Sequence, residues 1–247
     1  SDFDVYGQNQ TMSQNQTIPG PSLTDPNLRV ESVASDFDFP TSMAFLAKND
    51  ILILEKNTGN VFRLINGNIT GPLIHVNVSS KDERGLLGVA VAGQETEDSK
   101  DGSLVFLYYT ESEVNDGGQA LGNRVYRYDL SNGELVNRRL LLDLPAQPGP
   151  RHNGGAIRLG LDNDSLYVPI GDVDGSFNPD GRYIRTQTQN YINSSIVDGR
   201  SGILAIGVDG RPLFDKGLLG DDYPLVLYYA YGIRNSFGID FDPLTGN

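Results

Sequence analysis

From residue 28 onward the chain alternates apolar and polar positions in short runs, each cut off by Gly, Asn, Asp or Pro before it reaches helical length. Successive side chains of a strand point to opposite faces, so runs with period two bury one face of a sheet while the interrupting residues supply turns. The pattern predicts strands over 29–33, 41–45, 51–55, 61–65, 86–91, 104–110, 124–129, 156–161, 165–170, 203–207, 225–229 and 237–241. With 29 glycines and 13 prolines to turn the chain, the fold class is all-β.

Several segments repeat one grammar. MAFLAKNDILILEKNTGNVFRL, LLGVAVAGQETEDSKDGSLVFLYYT, AIRLGLDNDSLYVPIGD and FGIDFDPLTGN each place an alternating apolar strand before a polar turn, and all but the last continue into a second strand. Recurrence at roughly 45 to 80 residues is the signature of β-propeller blades with loops of variable length. A β-sandwich also gives short strands with closely spaced turns; the recurring unit favours the propeller. Residues 1–27, rich in Gln, Asn, Ser, Thr and Pro, read as a disordered polar linker ahead of a propeller domain over 28–247.

A net charge of -13 repels a phosphate backbone and an anionic bilayer, which argues against nucleic-acid and membrane-surface partners. No apolar run approaches the roughly 18 residues that span a membrane. The absence of cysteine excludes disulfide scaffolds, thiolate metal sites and cysteine nucleophiles. Asn-x-Ser/Thr sequons at Asn9, Asn15, Asn68, Asn77, Asn163 and Asn193, together with a start at Ser1 in place of Met, point to an exported protein: extracellular, periplasmic or at the cell surface.

Three runs carry candidate chemistry. In Arg151-His152-Asn153-Gly154-Gly155-Ala156 an imidazole precedes a glycine pair at the start of a strand, on a loop that substrate can approach, and the following strand ends at Asp172. A histidine suits general-base work near neutral pH, and a carboxylate can hold its tautomer; the competing account is a turn-capping histidine and an aspartate that closes a hairpin. In Lys81-Asp82-Glu83-Arg84-Gly85-Leu86-Leu87-Gly88, Glu83 can accept hydrogen bonds from a polyol, or simply belong to a solvated turn with a local ion pair. In Tyr231-Gly232-Ile233-Arg234-Asn235-Ser236-Phe237-Gly238, a guanidinium beside an amide suits a planar, oxygen-rich anion, with a structural Arg–carboxylate pair as the alternative.

Taken in order, FPTSMAFLAKNDILILEKNTGNVFRL, ERGLLGVAV, RHNGGAIRLGLDNDSLYVPIGD and YGIRNSFGIDFDPLTGN resemble the soluble PQQ-dependent aldose or glucose (sugar) dehydrogenases, over about residues 39 to 247. The resemblance implies a six-bladed β-propeller and an oxidoreductase. That enzyme oxidises an aldose sugar at C1 to the lactone, with pyrroloquinoline quinone (PQQ) and calcium as cofactors and an unassigned electron acceptor. It implies that His152 binds the sugar and takes its C1 hydroxyl proton, that Asp172 orients His152, and that Arg234 and Asn235 lie against the quinone and stabilise charge on its carbonyl oxygen. Glu83 matches a position that helps hold the sugar, where other members use Gln. None of these residues is assigned to a metal.

The chain departs from the family pattern in places. Ile233 stands where His is common, Ser236-Phe237 replace Pro-Gln, and RYIRTQTQNYINSSIVDGR lengthens the loop after Asp172. The Gly-Pro carbonyls that bind calcium in the family, and its later basic residues for the cofactor carboxylates, have no counterpart before Asn247. At roughly 50 residues per blade, about four of six blades are present, so the chain reads as part of a longer protein. In DVDGSFNPDG, Asp172, Asp174, Asn178 and Asp180 suggest a calcium loop, but Phe177 stands where an EF-hand needs Gly and no Glu follows at position 12. Two other functions are compatible with the fold: a non-catalytic cell-surface propeller of the hedgehog-interacting type, binding protein or glycan, and a propeller lactonase, whose metal ligands cannot be assembled from these strands.

Overall fold

A computed structural model describes residues 22–93, 102–114, 117–174 and 197–246. The chain divides into two units, Ser1–Ser35 and Asp36–Asn247. In the first, Asp25 Oδ1 accepts the Asn27 amide at 2.8 Å in a local turn, and no strand forms among its described residues. The strand expected at 29–33 is therefore absent. Its alternation is present, but Val30 and Val33 are exposed and no partner supplies a ladder.

Among its described residues the second unit holds three four-stranded antiparallel sheets, each a meander. The first runs β1 (Pro40–Ala47), β2 (Asp50–Glu55), β3 (Asn60–Ile65), β4 (Asn68–His75). The second runs β5 (Leu86–Ala92), β6 (Leu104–Ser112), β7 (Ala120–Ser131), β8 (Glu134–Leu144). The third runs β9 (Arg158–Leu159), β10 (Ser165–Ile170), β11 (Gly202–Gly207), β12 (Tyr228–Tyr231). The expected strand at 225–229 resolves into a 3-10 turn, Leu225–Leu227, followed by β12. The segment 237–241 forms no strand; Phe237 is exposed and Phe241 packs its ring on Tyr167 at 4.8 Å.

β6 shows how the sheets stack. Val105, Leu107 and Tyr109 enter a core shared with Leu52, Leu54 and Val61 of the first sheet. Phe106 and Tyr108 enter a second core with Val168, Ile170 and Leu204 of the third. Alternate side chains of one strand thus fill two cores, so LVFLYY is apolar throughout, as a strand buried on both faces must be. This is blade-on-blade packing, and the molecule is an all-β, partial β-propeller.

The buried carboxylate at the end of β6 is held by several partners. Glu111, at the end of β6, accepts hydrogen bonds from Tyr126 Oη at 2.7 Å and Arg138 Nη2 at 2.9 Å, and from Arg124 Nη1. Arg124 also grips Asp143 through Nε and Nη2, at 2.9 and 3.0 Å. Burial alone raises the Glu111 pKa, but the hydrogen bonds from Tyr126 and Arg124 and the charges of Arg138 and Arg124 outweigh it, so the carboxyl titrates below its ordinary 4.5. A depressed carboxylate adds stability that is complete above its unfolded pKa and is lost as pH falls through the folded one. Glu111→Gln should therefore destabilise the protein by roughly 1.5–3 kcal/mol at pH 7, with the deficit shrinking below about pH 4.5. Urea unfolding at pH 7 and pH 3.5 checks this; a deficit independent of pH would remove the charge from the explanation.

Candidate functional site

The site lies where three loops meet: the one before β5, the one between β8 and β9, and the one after β12, with the end of β10 beneath them. Two of the sequence motifs interlock through glycine. A Cβ at Gly88 in β5 would stand 1.8 Å from the Gly155 carbonyl oxygen, and one at Gly155 (φ +108°) would stand 2.5 Å from the Leu87 side chain. Only paired glycines let β5 and the chain after His152 approach so closely. This contact places the ERGLLG and HNGG runs side by side.

His152 sits in the left-handed region at φ +62° and is 5% exposed. Its Nδ1 lies 2.6 Å from Oδ1 of Asp172, which is fully buried at the end of β10. An ionised carboxylate only accepts, so Nδ1 carries a hydrogen and, in the neutral ring, Nε2 keeps its lone pair. The Asp172 backbone N–H donates to the Arg234 carbonyl at 2.9 Å, which joins the loop after β12 to this pair. Burial pushes the Asp172 carboxyl above its usual range, against the lowering effects of the His152 hydrogen bond and the His152 and Arg234 charges.

Glu83 completes the cluster. Its Oε2 accepts the His152 backbone N–H at 2.6 Å and one amide hydrogen of Asn235 at 3.0 Å. The five residues singled out in the sequence, Glu83, His152, Asp172, Arg234 and Asn235, are thus brought to one place from four segments of chain. Beside them opens a cleft of about 330 Å³ lined by Thr41, Lys56, Glu83, Gly154, Arg158 and Phe237, among others. Burial lowers the Lys56 pKa, and nearby Asp82 and Glu83 partly restore it.

Four supporting residues, Asn153, Asn123, Tyr108 and Thr110, carry no assigned role in the sequence reading. Asn153, fully buried, accepts from Asn123 Nδ2 at 3.0 Å and donates to the Pro150 carbonyl, while its own carbonyl accepts from Tyr108 Oη at 2.6 Å. Thr110 Oγ1 donates to Asn123 Oδ1 at 2.6 Å. Asn153 was visible inside the HNGG run; nothing in the sequence pairs it with Asn123 or Tyr108, which come from neighbouring strands.

Ile233, the departure noted above, donates its backbone N–H to the Ser201 carbonyl at 3.1 Å, and Phe237 lines the cleft. Among the described residues no group of three or more His, Cys, Asp or Glu side chains is placed to hold a metal ion. Asn178, Asp180 and most of the long loop after Asp172 lie outside the described residues, as do the sequons at Asn9, Asn15 and Asn193. Asn68 and Asn163 are exposed and Asn77 is half-buried. Among the described residues no helix is long and apolar enough to cross a membrane.

Residues 37–247 match the family model described as Glucose / Sorbosone dehydrogenase. An uncharacterized protein of Synechocystis is 26% identical over 261 residues, covering 99% of this chain and 59% of that protein. Among solved structures, an oxidoreductase (glucose dehydrogenase) of Thermus thermophilus superposes with a TM-score of 0.68 at 28% identity, over 88% of this chain and 59% of that one. The PQQ-bound aldose sugar dehydrogenase of Streptomyces coelicolor shares the fold at a TM-score of 0.63 and 24% identity, over 87% and 57% of the two chains. The chain therefore spans less than two thirds of the length of these relatives.

Proposed function

This chain belongs to the glucose/sorbosone dehydrogenase family, and from that premise we propose that the protein oxidises an aldose sugar at C1 to the lactone with PQQ as its cofactor. The observation that carries the reading is the buried His152–Asp172 pair at 2.6 Å, tied through the Asp172 N–H to the loop that presents Arg234 and Asn235. A propeller that only binds partners has no need of a buried imidazole held in one tautomer beside an open cleft, which argues against the binding alternative.

The residues present suit a flat, oxygen-rich polyanion. Arg234 is exposed on the loop of Asn235, and Lys56, Arg158 and the Phe237 ring line the adjoining cleft beside Asp82 and Glu83. Arg234 and Asn235 would hold the quinone through their side-chain N–H groups, which would stabilise negative charge developing on it. When bound, the quinone supplies the hydride acceptor. His152 Nε2 takes the proton of the C1 hydroxyl as hydride leaves C1, so the hydroxyl carbon becomes the lactone carbonyl. Asp172 stabilises the imidazolium that forms. Calcium is assigned to no residue of this chain. Export, with glycans on the exposed Asn68 and Asn163, completes the reading.

The test is to titrate PQQ and calcium into the protein and to follow dye reduction on a panel of aldoses. Saturable quinone binding with aldose-dependent reduction is the expected result. A folded protein that binds quinone and oxidises no aldose overturns the proposal.

A further inference from the structure

We propose that Glu83 is a positioning residue, whose carboxylate ties the loop of His152 to the loop of Asn235, and is not a ligand of the sugar. The inference rests on the sugar dehydrogenase reading for its consequences, but its geometry is independent of it. One oxygen, Oε2, accepts two donors that lie 69 and 152 residues away in sequence. Those two donors belong to the two halves of the site: the backbone of the proposed base and the amide beside the proposed quinone.

Three further observations fit a tie. First, the residue before His152 is held in the same manner, since the Arg151 backbone N–H donates to Asp174 Oδ2 at 3.0 Å. Two consecutive N–H groups are thus each held by a carboxylate, which compensates a histidine at φ +62°, a conformation that costs about 1–2 kcal/mol outside glycine. Second, a carboxylate only accepts, so it fixes the Asn235 amide with Nδ2 turned toward Glu83 and leaves its other amide hydrogen for a ligand. Third, the charge is compensated from within the protein. The Lys56 ammonium feels both Asp82 and Glu83 and is anchored on Asn57 Oδ1 at 2.9 Å and the Ser80 carbonyl at 3.1 Å. With both donors on Oε2, the carboxylate is fixed in place by the protein before any sugar arrives.

The roles separate in Glu83→Ala and Glu83→Gln. A glutamine carbonyl can accept both hydrogen bonds, whereas alanine accepts neither. For a positioning residue, Glu83→Ala should lower kcat roughly 100-fold through misplacement of His152 and Asn235, with KM for the aldose changed less than about threefold, and Glu83→Gln should restore kcat to within about fivefold of wild type. A second readout needs no catalysis. The chain has two histidines, so labelling with 15N-histidine gives two backbone amide signals, and His152→Asn identifies the one at position 152. That amide proton should move upfield in Glu83→Ala and stay near its wild-type position in Glu83→Gln. A KM that rises while kcat holds would make Glu83 a sugar ligand, and an unmoved amide would dissolve the tie; either overturns the proposal. If the wild type oxidises no aldose while the amide moves as expected, the functional reading fails and the tie stands.

Discussion

Gly171→Ala should remove activity almost completely, although residue 171 touches neither substrate nor cofactor. Gly171 follows β10 just before Asp172, and a Cβ there would stand 2.3 Å from the Arg234 carbonyl oxygen and 2.5 Å from that of His152. Both obstacles are backbone, so no side-chain rotation relieves them. The loops of His152 and Arg234 must each retreat by roughly 1 Å, and a shift of that size at a reacting group costs about 100-fold in rate. Retreat of Arg234 also lengthens the hydrogen bond that its carbonyl accepts from Asp172, so a stability loss of about 1–3 kcal/mol accompanies it. The control is Gly238→Ala on the same loop, where an added Cβ meets nothing within 4 Å. Steady-state rates and thermal melts of the two variants decide the matter; if Gly171→Ala behaves like Gly238→Ala, the close approach of the three segments is not what aligns the site.

The second large effect is at His152 itself. Alanine would change the backbone preference along with the side chain, because residue 152 lies at φ +62°. Asparagine tolerates that region better than other non-glycine residues and has no base of comparable strength. His152→Asn should lower aldose oxidation by roughly 10²- to 10⁴-fold, the usual contribution of a general base. Quinone binding and the melting temperature should hold near wild type. Dye-linked kinetics beside a quinone titration separates the two terms, and a rate within tenfold of wild type would take the proton-abstracting role away from His152.

How legible the fold was differs strand by strand. β2, β5, β6 and β10 stand out in the sequence because they are buried on one or both faces and alternate or run apolar accordingly. β4 (NITGPLIH) and β8 (ELVNRRLLLDL) were missed, since the outermost strand of each sheet is largely exposed and carries no periodic apolar signal. The converse error occurred at 29–33 and 237–241, where alternation exists without a partner strand. Periodicity reports which face a strand would bury, but only pairing makes it a strand.

The candidate site divides along the same line. His152, Asp172, Arg234, Asn235 and Glu83 were recognisable because each sits in a short run whose glycines and neighbours are local properties of the chain. Their convergence was not, and neither was the Asn153–Asn123–Tyr108 support, because those contacts join residues separated by 30 to 45 positions. Glu83 illustrates the gap most sharply: its type and motif suggested a hand on the sugar, while its surroundings make it a clasp between two loops.

Sequence by itself determined the strand period, the turns and the all-β class, for these follow from the alternation of side chains and the conformational limits of single residues. Tertiary structure alone decided which carboxylate faces which donor. Hydrogen bonds act over about 3 Å whatever the distance along the chain, and residues 83, 152 and 235 come within that range only after the three sheets have packed.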